Sequence, residues 1–327
     1  MAEEKRFVGR YTLEDLFDRT IAMIRRTWKT SIGLGALVLT IPSVLFGWTL
    51  LGSFQRLALV IDEAGPESGA ELLWPVFRSM AALPLVGLLV GISAIVMHLV
   101  VTDAVRGEVF EGDHDPRAAL SRVLRSSLWT VIGQGLIKAL LFGALIAIPV
   151  AVIVLVAVVF EAGGVWIFLS SMLYVAAIII TVWLWVSLSF APYATVFDGQ
   201  GVFGGLSASR HLVRGNWWRV LGYSILIQLI VSFTLGIITT PVVGISLLPT
   251  ISSVIEASTS GAVGDEEIMR IMTSVTGLGI AAAVGALVQQ LLSLLVLPVF
   301  YALLFVDLKV RAGELGEAGG EQAEEHV

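Results

Sequence analysis

The chain contains no cysteine. Disulfides and thiolate metal sites are therefore excluded, and the redox poise of its compartment leaves no mark on it. Charge is almost as scarce. Only 14% of the 327 residues are Asp, Glu, Lys or Arg, where soluble domains carry about 25%. Histidine is rarer still, with His98, His114, His211 and His326 as the full set. No two of these have metal-ligand spacing, and there is no HExxH, GxSxG, P-loop or strand-preceded GxGxxG. The residues thus offer no nucleophile, no metal set and no cofactor cradle, and the expectation is a protein that is not an enzyme and carries no metal or cofactor.

What the chain has instead is apolar length. Hydrophobic residues make up 57% of it, too much to be covered by so few charges, so lipid is the expected solvent. A hydrocarbon core about 30 Å thick takes roughly 20 apolar helical residues. Six runs qualify, at approximately 31–54, 79–102, 128–160, 164–191, 217–254 and 272–306. The third, fifth and sixth are long enough to require tilting, kinking or projection beyond the bilayer. Pro149 and Pro241 supply kink sites, and the segment 241–271, which holds Pro249, is either embedded or external. The first run lies behind a mostly polar segment and is itself of span length, so it reads as a retained span and not as a cleavable signal.

The net charge of −6 hides a segregation. Of the 20 basic residues, 16 fall before span one, between spans two and three, between spans four and five, or after span six. The other loops carry Arg56, Arg78 and Arg270 beside a surplus of Asp and Glu. The positive-inside rule then puts both termini in the cytoplasm, in agreement with an even number of spans. An all-helical polytopic protein points to a plasma membrane, since outer-membrane spans are barrels, and the Ala/Gly/Val/Leu/Arg usage suits a GC-rich bacterium.

A phrase recurs three times. An amphipathic, Arg-containing segment reaches a Trp (Trp28, Trp129, and Trp217 with Trp218), two apolar runs follow, and the second closes on an Asp (Asp103, Asp198, Asp307). The fold class expected is all-α, a polytopic membrane protein. Six transmembrane helices form three repeats of amphipathic interfacial helix plus helical hairpin, at about 12–103, 115–198 and 203–307. Residues 1–11 and the acidic stretch 312–327 are expected to be disordered. Thr12 and Asp15 form a capping-box-like start, and Asp115-Pro116 an N-cap and N1 pair. The apolar stripes are Leu13, Leu16, Phe17, Ile21, Ile24 and Trp28, then Leu120, Val123, Leu124 and Leu128, then Phe203, Leu206, Val213 and Trp217, this last interrupted by Arg210. Such segments lie in the headgroup interface or are cytoplasmic extensions of the spans that follow, and the Trp residues anchor them at headgroup depth.

The phrases FDGQGVFGGLSASRHLVRGNWWRVLGYSILI (197–227), LVVTDAVRGEVFEGDHDPRAALSRVLRSSLW (99–129) and LLFVDLKVRAGE (303–314) resemble the glycerophosphoryl diester phosphodiesterase membrane-domain family. Some members of that family join the domain to a soluble catalytic barrel, which takes about 250 residues. The resemblance here implies the membrane domain without the barrel, because only the short acidic tail follows Asp307.

Two sets of residues are candidate sites. Each Asp of the repeat sits near a helix C-terminus, where the dipole disfavours a carboxylate. Arg25, Arg125 and Arg214 are the expected partners, making three clamps that dock the interfacial helices or, alternatively, a ring that binds a cation or headgroup. Lys138 lies about 13 Å past Trp129 along a helix, near the bilayer midplane, where an ionisable side chain is a functional hypothesis by default. Gln134, one turn back, and Gln228, at matching depth in the third repeat, complete a candidate midplane pocket. His211, between Arg210 and Arg214, suits an anionic headgroup. The expected partners are membrane lipids, through anionic headgroups at the cytoplasmic face, and another membrane protein, but not nucleic acid. A lipid-interacting module or assembly subunit is the first functional expectation. A small-solute transporter built on the Lys138 pocket is the second.

Overall fold

A run of about 20 apolar residues has one stable form in lipid, a helix that satisfies its own backbone. The computed structural model describes residues 8–64, 73–111, 116–159, 164–260 and 265–315, and these are helical throughout, with no strand among them. The elements are α1 (Leu13–Ala64), α2 (Leu73–Met80), α3 (Leu83–Phe110), α4 (Pro116–Arg122), α5 (Leu128–Val159), α6 (Gly164–Ser187), α7 (Ala191–Asp198), α8 (Val202–Val213), α9 (Trp217–Ser260) and α10 (Asp265–Arg311). A π-helical turn, Val123–Ser127, joins α4 to α5.

Five segments are long and apolar enough to cross a membrane: Leu83–Phe110, Arg117–Val156, Ser171–Asp198, Trp217–Pro241 and Leu287–Arg311. In the most apolar stretch of the Arg117–Val156 segment, 6% of the residues are buried inside the protein. Exposed apolar surface on that scale does not occur on water-soluble monomers. It is what a multi-pass membrane protein shows to lipid. The expected first span, 31–54, contributes a shorter described apolar stretch, Val38–Ser53, within α1.

Two of the three amphipathic segments run unbroken into the spans after them. The first is the start of the 52-residue α1, and the second passes from α4 through the π turn into α5. Only the third, α8, is a separate helix, parted from α9 by Arg214–Asn216. The separation has a local cause: Arg214 is extended (ψ 121°) and Gly215 has φ 91°, a conformation that glycine adopts without a Cβ penalty.

The expected apolar stripes are buried only in part: Leu16, Val123, Leu128 and Val213 are buried, whereas Ile21, Trp28, Leu124 and Phe203 are exposed. In α1 the buried line runs through Leu16, Thr20, Met23 and Thr27, while Ile21 and Trp28 are exposed. Threonine tolerates burial here because Thr20 Oγ1 donates to the Leu16 carbonyl at 2.7 Å. In α8 the buried residues are Gly205, Ser209, Leu212 and Val213, and Phe203 is exposed. Arg210 therefore interrupts nothing and points away from the buried face. In lipid the most apolar face of a helix turns outward, and small or hydroxyl residues turn to the protein.

The chain divides into two compact units. The first gathers the residues up to Arg25, Leu99–Leu226 and the residues from Pro298 onward. Its centre is a chain of rings in which Phe190, Tyr193 and Tyr301 lie about Phe305, with Phe197 and Phe305 centroids 5.3 Å apart. The α5–α6 hairpin belongs wholly to this unit. The second unit comprises Arg26–His98 and Ile227–Leu297. In it, a Cβ placed on Gly87 would meet only the Phe46 ring at 3.7 Å, and one on Gly91 would meet open space, so this small-residue pair does not mark a tight crossing.

Order extends further at both ends than the composition suggests. Tyr11 is 2% exposed, whereas disorder was expected as far as residue 11. Thr12 and Asp15 form the capping box: Asp15 N–H donates to Thr12 Oγ1 at 3.2 Å, and Thr12 N–H and hydroxyl both donate to Asp15 Oδ2. At the other end, Gly313 (φ 75°) caps α10 as its N–H reaches the Val310 carbonyl at 3.1 Å. Asp115, His114, His326 and the acidic stretch from residue 316 lie outside the described residues.

Candidate functional site

Pro192 is the origin of the most distinctive site. Proline lacks the N–H of a helical bond and its ring crowds the carbonyl four residues back, so it weakens a helix interior and sits best in a first turn. Pro42, Pro149, Pro241, Pro249 and Pro298 are carried inside helices here, while Pro192 lies in the first turn of α7. The span beginning with α6 accordingly breaks at Leu188–Phe190 and restarts as α7. A broken helix leaves backbone groups without partners, and these must be satisfied when buried. One side chain from α8 does so. Ser209, fully buried, donates from Oγ to the Ser187 carbonyl at 2.8 Å and accepts from the Phe190 N–H at 3.0 Å. A second closure lies close by. Gln134 of α5 donates to Thr195 Oγ1 at 2.9 Å and to the Ala191 carbonyl at 3.4 Å. Gly205 makes that fit possible, since a Cβ there would collide with Gln134 Nε2 and lie 3.0 Å from the Ala191 carbonyl.

This pinning of α8 sets the residues next to Ser209 against the end of α6. A cleft of about 530 Å³ results, lined by Trp183 and Ser187 of α6, Ser207, Arg210 and His211 of α8, and the turn Arg214–Trp217 that leads into α9. The Arg210 guanidinium sits 5.6 Å over the Trp183 ring. The Trp217 indole N–H donates to the Trp183 carbonyl at 3.3 Å, tying the far wall to α6. Arg210, His211 and Arg214 are exposed, and no carboxylate is among the lining residues. The cleft is therefore cationic with aromatic walls.

The three repeat aspartates are each paired, but with other cations than Arg25, Arg125 and Arg214. Asp103 accepts from Arg122 at 2.8 Å and from Arg106 at 3.2 Å. Asp198 accepts from Lys309 at 2.6 Å. Asp307, wholly buried, accepts from Arg311 at 3.0 Å, from Arg219 at 3.2 Å and from the Tyr11 N–H at 2.7 Å. Both arginines also donate to the Tyr11 carbonyl, so one peptide unit and one carboxylate share two guanidinium groups. Helix register explains the substitutions. Arg122 precedes the π turn that holds Arg125, Arg219 sits inside the first turn of α9 whereas Arg214 closes α8, and the i+3 and i+4 positions after Asp103 and Asp307 supply Arg106 and Arg311 without any loop. Arg25, Arg125 and Arg214 are exposed. Burial pushes the Tyr11 phenol up to about 12, with the Arg19 guanidinium over its ring acting in the opposite direction. Thr12 hydrogen bonds hold the Asp15 carboxyl below its usual range.

The residues of the expected midplane pocket have separate fates. Gln134 is buried and committed to the α7–α8 junction through its amide NH2, leaving Oε1 without a donor among the described residues. Lys138 is half-buried in α5, with no ion-pair partner among the described residues. Gln228 belongs to the second unit and is exposed. Of the expected Trp anchors, Trp28, Trp129 and Trp218 are exposed, at 45%, 70% and 78%, the last two at the starts of α5 and α9.

The DUF7847 domain of unknown function matches residues 29–306. The chain belongs to this family. The matched stretch contains every lining residue of the cleft. No curated protein and no solved structure matches the chain.

Several of these residues carried little signal of their own. Ser209 and Gly205 look like ordinary small residues in GGLSAS, and Trp183 like one more aromatic in an apolar span. The signals that lead to them are Pro192, which favours a helix start and so a partner for the backbone freed ahead of it, and the Arg-Gly-Asn turn ahead of Trp217.

Proposed function

We propose that this protein is a non-enzymatic integral membrane module that binds anionic lipid headgroups at its cytoplasmic face. It has six spans in three repeats of amphipathic segment plus hairpin, and it lies in a bacterial plasma membrane with both termini cytoplasmic. The observation that carries the reading is the cleft. Two arginines and a histidine line it together with two indoles, and no acid is in the lining; Trp218, next in the chain to Trp217, is exposed as headgroup-level aromatics are. Basic residues near a membrane surface contribute about 1 kcal/mol each toward anionic lipid. The resemblance of 99–129, 197–227 and 303–314 to the glycerophosphoryl diester phosphodiesterase membrane domain supports a membrane module without chemistry of its own. The aspartate clamps act structurally, fixing the segments that frame this face.

The test is native mass spectrometry of the protein extracted gently from its own membrane. The reading expects retained anionic lipid, reduced in Arg210→Gln/Arg214→Gln. A stoichiometric protein partner with no retained lipid would replace it with an assembly-subunit role. A bound solute that is lost in Lys138→Leu would replace it with transport.

A further inference from the structure

The chemistry of the cleft narrows the class of headgroup. Arginine recognises phosphate through a planar fork that makes two parallel hydrogen bonds. A phosphodiester headgroup has two free oxygens and one negative charge, which one fork balances. A phosphate monoester has three free oxygens and carries roughly −1.5 to −2 at pH 7, which two forks can engage together. The cleft offers that set, with Arg210 and Arg214 as forks and His211 between them in sequence. Ser207 adds a hydroxyl at the rim. The indole walls contribute shape more than donors, because the Trp217 N–H is already spent on the Trp183 carbonyl. Arg210 is not a loose surface side chain, since its guanidinium is stacked over Trp183 and its backbone follows the buried Ser209 staple. A volume of about 530 Å³ exceeds a phosphate group alone and leaves room for the glycerol that follows it.

We infer that the cleft between α6, α8 and the start of α9 takes a phosphate monoester carried on a lipid, a headgroup of the phosphatidic acid type, held by Arg210 and Arg214. This rests on the reading of the cleft as an anionic-headgroup site and adds selectivity to it.

The experiment titrates the full chain in neutral-lipid nanodiscs at pH 7.5 with phosphatidic acid, phosphatidylglycerol and, separately, glycerol 3-phosphate. Phosphatidic acid is expected to bind about tenfold more tightly than phosphatidylglycerol, with glycerol 3-phosphate much weaker than either. Arg210→Gln/Arg214→Gln should bring the two lipids level. Arg210→Lys/Arg214→Lys keeps the charge without the fork, so it should retain binding but lose most of the preference, and it also guards against a fold defect in the glutamine pair. Equal affinity for the two anionic lipids, with both lost in the glutamine variant, overturns the monoester selectivity and leaves the anionic-headgroup reading standing. No preference for any anionic lipid over neutral lipid overturns both. Glycerol 3-phosphate binding as tightly as phosphatidic acid overturns the lipid-borne source and assigns the site to a soluble monoester.

Discussion

Replacing Ser209 with alanine removes one oxygen and orphans two backbone groups. The Ser187 carbonyl loses its 2.8 Å donor and the Phe190 N–H its 3.0 Å acceptor. Ser209 is 0% exposed, so water does not take its place without rearrangement. A buried group left unsatisfied costs about 1–3 kcal/mol, and the two together predict a loss of roughly 2–6 kcal/mol. The loss should be local first. In hydrogen–deuterium exchange on protein in nanodiscs, the Phe190 amide and the start of α7 should lose protection, while the middle of α5 keeps its own. Anionic lipid binding should weaken in parallel, because Arg210 and His211 follow the staple directly in the chain. Unchanged protection at Phe190 together with unchanged stability would refute the reasoning that the Pro192 break is closed by α8.

The aspartates should rank by burial. Asp307→Asn, which leaves two part-buried guanidinium groups facing a neutral amide, should cost roughly 3 kcal/mol or more, whereas Asp198→Asn, whose carboxylate is 26% exposed beside Lys309, should cost less, about 1 kcal/mol; thermal unfolding of the two variants gives the order. Stability should fall with alkali between pH 10 and 12, because the Tyr11 phenol ionises near 10 when unfolded but at about 12 when folded, so the unfolded state alone sheds its proton in that window; Tyr11→Phe should flatten this limb of a stability–pH curve. Lys138→Leu should leave lipid binding unchanged and favour membrane insertion of α5 by about 2–3 kcal/mol, measured in an insertion assay; a loss of stability would mean that the ammonium has a partner.

Sequence reading succeeds here where one physical rule dominates. Span length against bilayer thickness placed α5, α6, α9 and α10 close to their observed bounds, since an apolar run in lipid has no alternative to helix. The Thr12–Asp15 box was readable because the bonds of a cap lie within four residues. Faces and partners were harder. An amphipathic stripe in a soluble helix points inward, but Ile21, Trp28 and Phe203 point outward here, because lipid inverts the rule and Thr20 and Ser209 turn in. The clamp partners failed as well. One arginine from the amphipathic segment of each repeat is the expected set (Arg25, Arg125, Arg214), whereas Arg106, Arg122, Arg219, Arg311 and Lys309 are the cations that face the aspartates. The grouping of Gln134 with Gln228 assumed that equal depth in a repeat means adjacency. Gln134 instead closes the α7–α8 junction.

The most direct test of the central claim is a photoreactive phenylalanine analogue placed at Ser207, on the rim of the cleft, in full-length protein held in a membrane of mixed neutral and anionic lipids. Irradiation followed by intact-mass analysis should show covalent anionic lipid adducts at Ser207, suppressed when Arg210→Gln/Arg214→Gln is combined with the probe. The same probe at Ile148, exposed on α5 and not among the residues that line the cleft, should label lipids in proportion to their abundance. Labelling at Ser207 that follows bulk lipid abundance, with no dependence on Arg210 or Arg214, would contradict the account.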